Sequence, residues 1–277
     1  MIVVDTLADL RRERRVLTGA LGLVPTMGSL HEGHLSLVRR ARDENEHTGV
    51  SIFVNPTQFG PADDLASYPR DLDSDLRLLD ALRVDLVCTP TTAEIYPQGF
   101  QTYVTVEDLT QPLEGAHRPG HFRGVTTVVA KLFNAFTPER AYFGQKDAQQ
   151  ARVIRQMAAD LSLPVEVVVC PIVRDPDGVA LSSRNAYLSP REREAATVLF
   201  RALSAGAGAY KDGAREGDTL RTAMLNVLKG EPLAEPEYIS AADPVTLAEL
   251  EQVERGALLS LAVRVGGTRL IDNLLLD

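Results

Sequence analysis

Gly22-Leu23-Val24-Pro25-Thr26-Met27-Gly28-Ser29-Leu30-His31-Glu32-Gly33-His34 runs from a short apolar strand through a glycine-containing turn into a helix start, and Leu35, Val38 and Ala41 continue it at helical spacing. A strand that feeds a helix across one tight turn is the building unit of a parallel sheet flanked by helices. The unit recurs outward from this point. Residues 50–54, 84–88, 141–143 and 165–170 are short apolar, β-branched runs that fit buried strands, and longer helical patterns separate them. Val125, Val128, Val129, Leu132, Phe133 and Phe136 share one helical face, as do Ala151, Ile154, Met157, Ala158 and Leu161. These stripes predict core contacts.

Arg174-Asp175-Pro176-Asp177-Gly178 is a strong turn signal, after which the pattern changes to two long helical segments and then strand-like runs. Residues 258–265, Gly266-Gly267 and residues 270–275 predict a hairpin. The expected organisation is therefore α/β: a doubly wound parallel sheet over residues 1–174 and a smaller α+β C-terminal domain over residues 175–277, with no internal repeat.

A chain of 277 residues, 44% of them hydrophobic, can bury a full core. Its net charge of -9 argues against nucleic acid as the main partner, because that affinity comes from Lys and Arg neutralising phosphates. Cys88 and Cys170 each end an apolar run and are too few for a disulfide framework or a four-ligand zinc site, so both are expected to be buried thiols. No stretch is long and apolar enough to span a bilayer, and Met1 to Leu10 lack the form of a signal peptide; a soluble, cytoplasmic protein acting on small molecules is expected.

The turn at residues 25–34 is where chemistry is expected. Backbone N–H groups at a helix start lack intrahelical partners, and the helix dipole is positive there, so anions bind well. His31 and His34 lie on one face of the first turn and can donate to phosphate oxygens. Gly33 between them allows close approach of a ligand. Such a pair also suits a metal, for which only His117 and His121 could supply a third ring from afar, or it is merely a solvated helix start. A second strand-to-helix junction, Gly144-Gln145-Lys146-Asp147, repeats the architecture: Lys146 can meet a phosphate as a point charge, and Asp147 can cap the helix or hold a ribose.

Taken together, these segments resemble the pantothenate synthetase family, the pantoate and β-alanine ligases of vitamin B5 synthesis. Pro25-Thr26-Met27-Gly28 with His31-Glu32-Gly33-His34 is similar to that family's form of the HIGH motif of adenylate-forming nucleotidyltransferases. The resemblance continues through Phe53-Val54-Asn55-Pro56-Thr57-Gln58-Phe59, Tyr68-Pro69-Arg70, Arg118-Pro119-Gly120-His121-Phe122-Arg123-Gly124-Val125 and Tyr142-Phe143-Gly144-Gln145-Lys146-Asp147. It then takes in Gln149-Gln150, Ser182-Ser183-Arg184-Asn185 and Gly266-Thr268-Arg269-Leu270-Ile271-Asp272-Asn273. So many blocks in one order are far more specific than any single motif.

The resemblance implies a Rossmann-like ATP- and pantoate-binding domain with a C-terminal lid, and a homodimer using ATP and Mg²⁺. It implies an ATP site of Met27, Gly28, Ser29, Leu30, His31, Glu32, Gly33, His34, Gly144, Gln145, Lys146, Asp147, Val173, Leu181, Ser182, Ser183 and Arg184. Gln58 and Gln150 would bind pantoate and Gln58 also β-alanine, while His34, His31, Lys146 and Arg184 would act in catalysis. Read from its own proline- and glycine-containing loop, Arg118 either covers the substrates or is simply solvated. No protein ligand for Mg²⁺ is assigned, Asp73 and Asp75 being weak candidates. Departures from the family's usual residues are Leu181 for Met, Gln145 for Glu and Ala148 for Tyr; they bear on fine nucleotide contacts. Alternatives that share the fold are an aminoacyl-tRNA synthetase relative, another nucleotidyltransferase, and a nucleotide-binding regulator without catalysis.

Overall fold

The computed structural model describes residues 1–61 and 63–277. Six parallel strands, β1 (Ile2–Val4), β2 (Leu21–Thr26), β3 (His47–Ile52), β4 (Leu86–Cys88), β5 (Arg140–Gly144) and β6 (Glu166–Cys170), form one sheet in the order β1-β4-β3-β2-β5-β6. From β2 the chain winds outward through β3 to β4, and from β5 it winds the other way to β6, so the switch of direction lies between β2 and β5. The carboxyl ends of strands beside such a switch are where open α/β sheets bind ligands.

Both faces of this sheet are buried, and the strand period of two sorts the side chains between them. Leu21 and Leu23, Leu86 and Cys88, and Ala141 and Phe143 join the core containing the His121–Phe136 helix; Val24, Val87 and Tyr142 join the one containing Leu37, Val38, Ala41 and Leu79. The apolar stripe of the His121–Phe136 helix lies wholly inside the first of these cores. Leu161 departs from expectation: its helix ends at Asp160, and the side chain is half exposed. Strand β1 lies outside the strands expected from sequence although Ile2-Val3-Val4 are β-branched, and Ile2 and Val3 are exposed at the sheet edge.

Two compact units emerge, the first comprising residues 1–144 and 149–171, the second residues 145–148 and 172–277. The sequence-based division differs in grouping residues 145–148 and 172–174 with the first part. The second unit holds an antiparallel sheet, β7 (Ala234–Ala242), β8 (Ala257–Val265) and β9 (Thr268–Leu276), in which β8 and β9 form the hairpin predicted around Gly266-Gly267. Helices Thr197–Lys211 and Gly217–Leu228 cover it through Leu199, Ala202, Leu203, Leu220 and Met224. No helix among the described residues is long and apolar enough to cross a membrane.

Candidate active site

Strand β2 ends at Thr26, which shapes the turn that follows. Its buried hydroxyl donates to the Ser51 carbonyl on β3 at 2.8 Å and accepts the Gly28 N–H at 3.3 Å. Gly28 (φ 82°) and Ser29 (φ 51°) are both left-handed. A Cβ at Gly28 would lie 2.9 Å from an oxygen of Asp75, so glycine is required on two counts. Asp75, buried on the helix Leu72–Ala81, accepts the N–H groups of Ser29 and Leu30 at 2.9 and 2.8 Å. Burial holds its carboxyl above the ordinary carboxylate range, against the pull of the Leu30 and Ser29 amides.

His31 caps the helix Glu32–Glu44. Its Nδ1 accepts the Gly33 N–H at 3.1 Å, and Nδ1 of His34 accepts the N–H of His31 at 3.4 Å. The ring centroids are 4.1 Å apart. With Nδ1 engaged as an acceptor, the neutral imidazole carries its proton on Nε2, so both rings are set as Nε2–H donors. Here the structure alters the sequence-based picture. The N–H groups of Gly28, Ser29, Leu30, His31, Gly33 and His34 already have partners within the protein, contrary to the expectation of unpartnered amides at this helix start. Glu32 is exposed and paired with Arg39.

Gln58 sits beyond β3, at the end of a short turn that Asn55 caps, and both side chains are buried. Gln58 Nε2 lies 3.1 Å from the sulfur of Met27, which joins it to the first turn. Its main-chain carbonyl accepts from His121 Nδ1 at 2.8 Å and from Arg118 at 3.3 Å, and Arg118 also pairs with Asp63 at 3.0 Å. Arg118 and His121 therefore hold the Gln58 backbone. Gly124 is needed beneath it, because a Cβ there would come within 2.7 Å of the Gln58 nitrogen. Gln149 and Gln150, adjacent in sequence, differ in structure. Gln149 is buried with its amide fully used, accepting from Glu114 N–H and donating to the Leu109 and Pro112 carbonyls, whereas Gln150 is only half-buried.

Within the second unit, Gln145–Asp147 form a single 3-10 turn. Asn273 on β9 donates to the carbonyls of Gln145 and Lys146, both at 2.9 Å, and accepts from Gln145 Nε2 at 3.0 Å. A Glu in place of Gln145 could not make that last donation. The next residue back, Asp272, is buried and grips Arg174 through two hydrogen bonds of 2.6 and 2.8 Å. Burial pushes the Asp272 carboxyl up, with Arg174 opposing. Arg174 in turn donates to Gly178 and lies over the Phe200 ring, fixing the turn after Val173. Val173 accepts the Leu181 N–H at 3.0 Å, and Ser182 caps the 3-10 turn Ser183–Tyr187 by accepting from the Arg184 N–H at 3.3 Å. A hydroxyl that accepts in this way still has its own proton to donate.

Among the described residues no group of three His, Cys, Asp or Glu side chains is placed to hold a metal ion. His121, one of the distant third-ligand candidates for the histidine pair, turns Nδ1 to a carbonyl instead. Asp75 has both carboxylate oxygens bonded to amides, and Asp73 is exposed. This donor set fits Mg²⁺ brought by nucleotide phosphates rather than a protein cage.

A doubly wound sheet with two imidazole donors at the helix start beside its switch point defines an α/β protein of the nucleotide-binding class. The chain belongs to the pantoate–β-alanine ligase family, whose model matches residues 2–275, and is an enzyme of that family. A pantothenate synthetase of Roseiflexus castenholzii is 63% identical over 277 residues, covering all of both chains. The crystal structure of the pantothenate synthetase of Thermus thermophilus matches with a TM-score of 0.95 at 49% identity, over 99% of each chain. A pantoate–β-alanine ligase of Francisella tularensis, complexed with beta-gamma ATP and beta-alanine, matches with a TM-score of 0.84 at 34% identity, over 99% of this chain and 97% of that one.

Proposed function

We propose that this ligase joins (R)-pantoate to β-alanine in two ATP-driven steps through a pantoyl-adenylate. In the first, a pantoate carboxylate oxygen bonds to the α-phosphorus of ATP as the bond to the bridging oxygen of the β-phosphate breaks, and pyrophosphate leaves. In the second, the β-alanine amine bonds to the acyl carbon, the carbon–oxygen bond to AMP breaks, and the nitrogen gives up a proton. Neither step needs a covalent enzyme intermediate.

The observation that carries this reading is that Nδ1 of both His31 and His34 accepts a main-chain N–H beyond the end of β2, which sets the two rings to donate through Nε2. Negative charge grows on phosphate oxygens as pyrophosphate departs, and fixed donors aimed at that charge lower the barrier. His31 and His34 act there, His34 also as proton donor to the leaving group. Lys146 meets the α- or β-phosphate, Ser182, Ser183 and Arg184 hold the β- and γ-phosphates, and the Val173 backbone meets adenine. Residues 27–34 and 144–147, with Leu181, are the remaining nucleotide-binding residues of this reading. Gln58 and Gln150 bind pantoate, and Gln58 also serves β-alanine. Bound Mg²⁺ would neutralise phosphate charge. The chain works as a cytoplasmic homodimer, in keeping with the resemblance.

The test is a panel of hydroxy acids and amines read by pyrophosphate and AMP release. Pyrophosphate is expected to depend on pantoate, and AMP release on β-alanine as well. Pyrophosphate release that ignores pantoate would overturn the reading.

A further inference from the structure

Asn55, 1% exposed, is the hub of a hydrogen-bond network in which the orientation of its own amide is fixed, while the Thr57 and Tyr96 hydroxyls beside it also lie 3.0 Å from each other. One end of its amide lies 3.1 Å from the Gly124 carbonyl, which can only accept, so that end is Nδ2. The opposite end, Oδ1, receives the Tyr96 hydroxyl at 2.8 Å, the Thr57 hydroxyl at 2.9 Å and the Thr57 N–H at 3.4 Å. Nδ2 has a second hydrogen, directed at the Gln58 side chain at 3.0 Å, and the atom that meets it must be Oε1. Nε2 of Gln58 is thereby turned away from Asn55, to the Met27 sulfur, a weak acceptor that a better one can displace.

We propose that Tyr96 is a positioning residue for the acid substrate: acting through Asn55, it sets Gln58 to present N–H donors, so that Gln58 takes a carboxylate or hydroxyl oxygen of the acid. This rests on the assignment of Gln58 to pantoate. Tyr96 stands well away in sequence, just beyond the turn Thr92–Ile95, and its ring packs edge-on against Phe100 with centroids 5.1 Å apart. Burial raises its hydroxyl above the ordinary phenol range, keeping it a neutral donor. Were the Asn55 amide free to turn over, Gln58 would turn with it and face the acid's lone pairs with an oxygen. Such reversal of a buried polar contact is what fixed donors at a binding site prevent.

The decisive experiment is a double-mutant cycle of Tyr96→Phe and Gln58→Ala, read as kcat/KM for pantoate, KM for ATP and thermal midpoint. Tyr96→Phe keeps the ring packing and is expected to lower kcat/KM for pantoate about three- to tenfold, the size of one neutral hydrogen bond, with KM for ATP unmoved and the midpoint lowered by only about 2–4 °C. In the Gln58→Ala background the same change is expected to have no effect. Thr57→Val, which strips another donor from Asn55 Oδ1, provides the second variant and should act in the same direction. An unchanged kcat/KM in Tyr96→Phe, or the same fall with and without Gln58, overturns the inference. Wild-type protein that releases no pyrophosphate with pantoate overturns the functional reading, and this inference with it.

Discussion

The two strand-to-helix junctions that bear the candidate nucleotide residues are built differently. The turn at residues 25–34 is shaped mainly by its own sequence: Thr26 holds Gly28, and His31 and His34 cap their own helix. A single distant carboxylate, Asp75, completes it. The Gln145–Asp147 turn instead owes its anchoring to Asn273, 127 residues beyond Lys146. A site whose supports are local can be recognised in a short motif, whereas one with a remote support reveals only its reacting groups. The difference also says which substitutions should act alone and which should act through another residue.

The largest effect is expected at the locally built turn. His34→Ala removes a donor proposed to act on the leaving group, and single-turnover adenylate formation should fall about 10²- to 10³-fold. Loss of the ring's contact with the His31 N–H should cost only about 1 kcal/mol of stability. An unchanged single-turnover rate with ATP and pantoate would sink the assignment. Asp75→Asn is next, since the two N–H groups sit on different carboxylate oxygens and the amide nitrogen that replaces one of them is itself a donor. About 1–3 kcal/mol of stability should be lost, with adenylation impaired. Stability lost with adenylation intact would show that the histidines do not need this support.

Asn273→Ala tests the other side of the contrast. It leaves the Lys146 side chain in place but frees its turn, so KM for ATP should rise about three- to tenfold while KM for pantoate stays put. Equal weakening of both substrates would mean that Asn273 does no more than hold the fold together. The smallest effect is a reaction that should not occur. Cys88 ends β4 with its thiol pushed up to about 12 by burial, and Cys170 ends β6 with its thiol also raised by burial. A thiol with so little thiolate is inert, so a disulfide reagent at about pH 8 should label both cysteines only after denaturation. Rapid labelling of the folded protein would mean that the sheet ends open easily.

Particular residues show where sequence reasoning worked and where it ran out. Strands β2 to β6 and the His121–Phe136 stripe were legible because burial on both faces demands continuous apolar strands and a wide apolar helix face. Strand β1 was not: it is as short as β4 but exposed at the edge, without the flanking apolar residue Val84 that lengthened the run around β4. Asp75 stood out only as a possible metal ligand, since nothing local in sequence marks a carboxylate that binds amides across the chain. Only the family resemblance separated Gln150 from Gln149 in the sequence, and three hydrogen bonds show Gln149 to be a structural tie.

Sequence alone determined the winding of the sheet, the position of the histidine turn and the membership of the family, because periodicity and ordered motifs are properties of neighbouring residues. Tertiary structure alone decided that six N–H groups of that turn are already taken, that Nδ1 of both its rings is engaged as an acceptor, and that Asn55 holds the Gln58 amide. These are matters of hydrogen-bond direction between groups far apart in the chain, and direction exists only once the partners have been brought together.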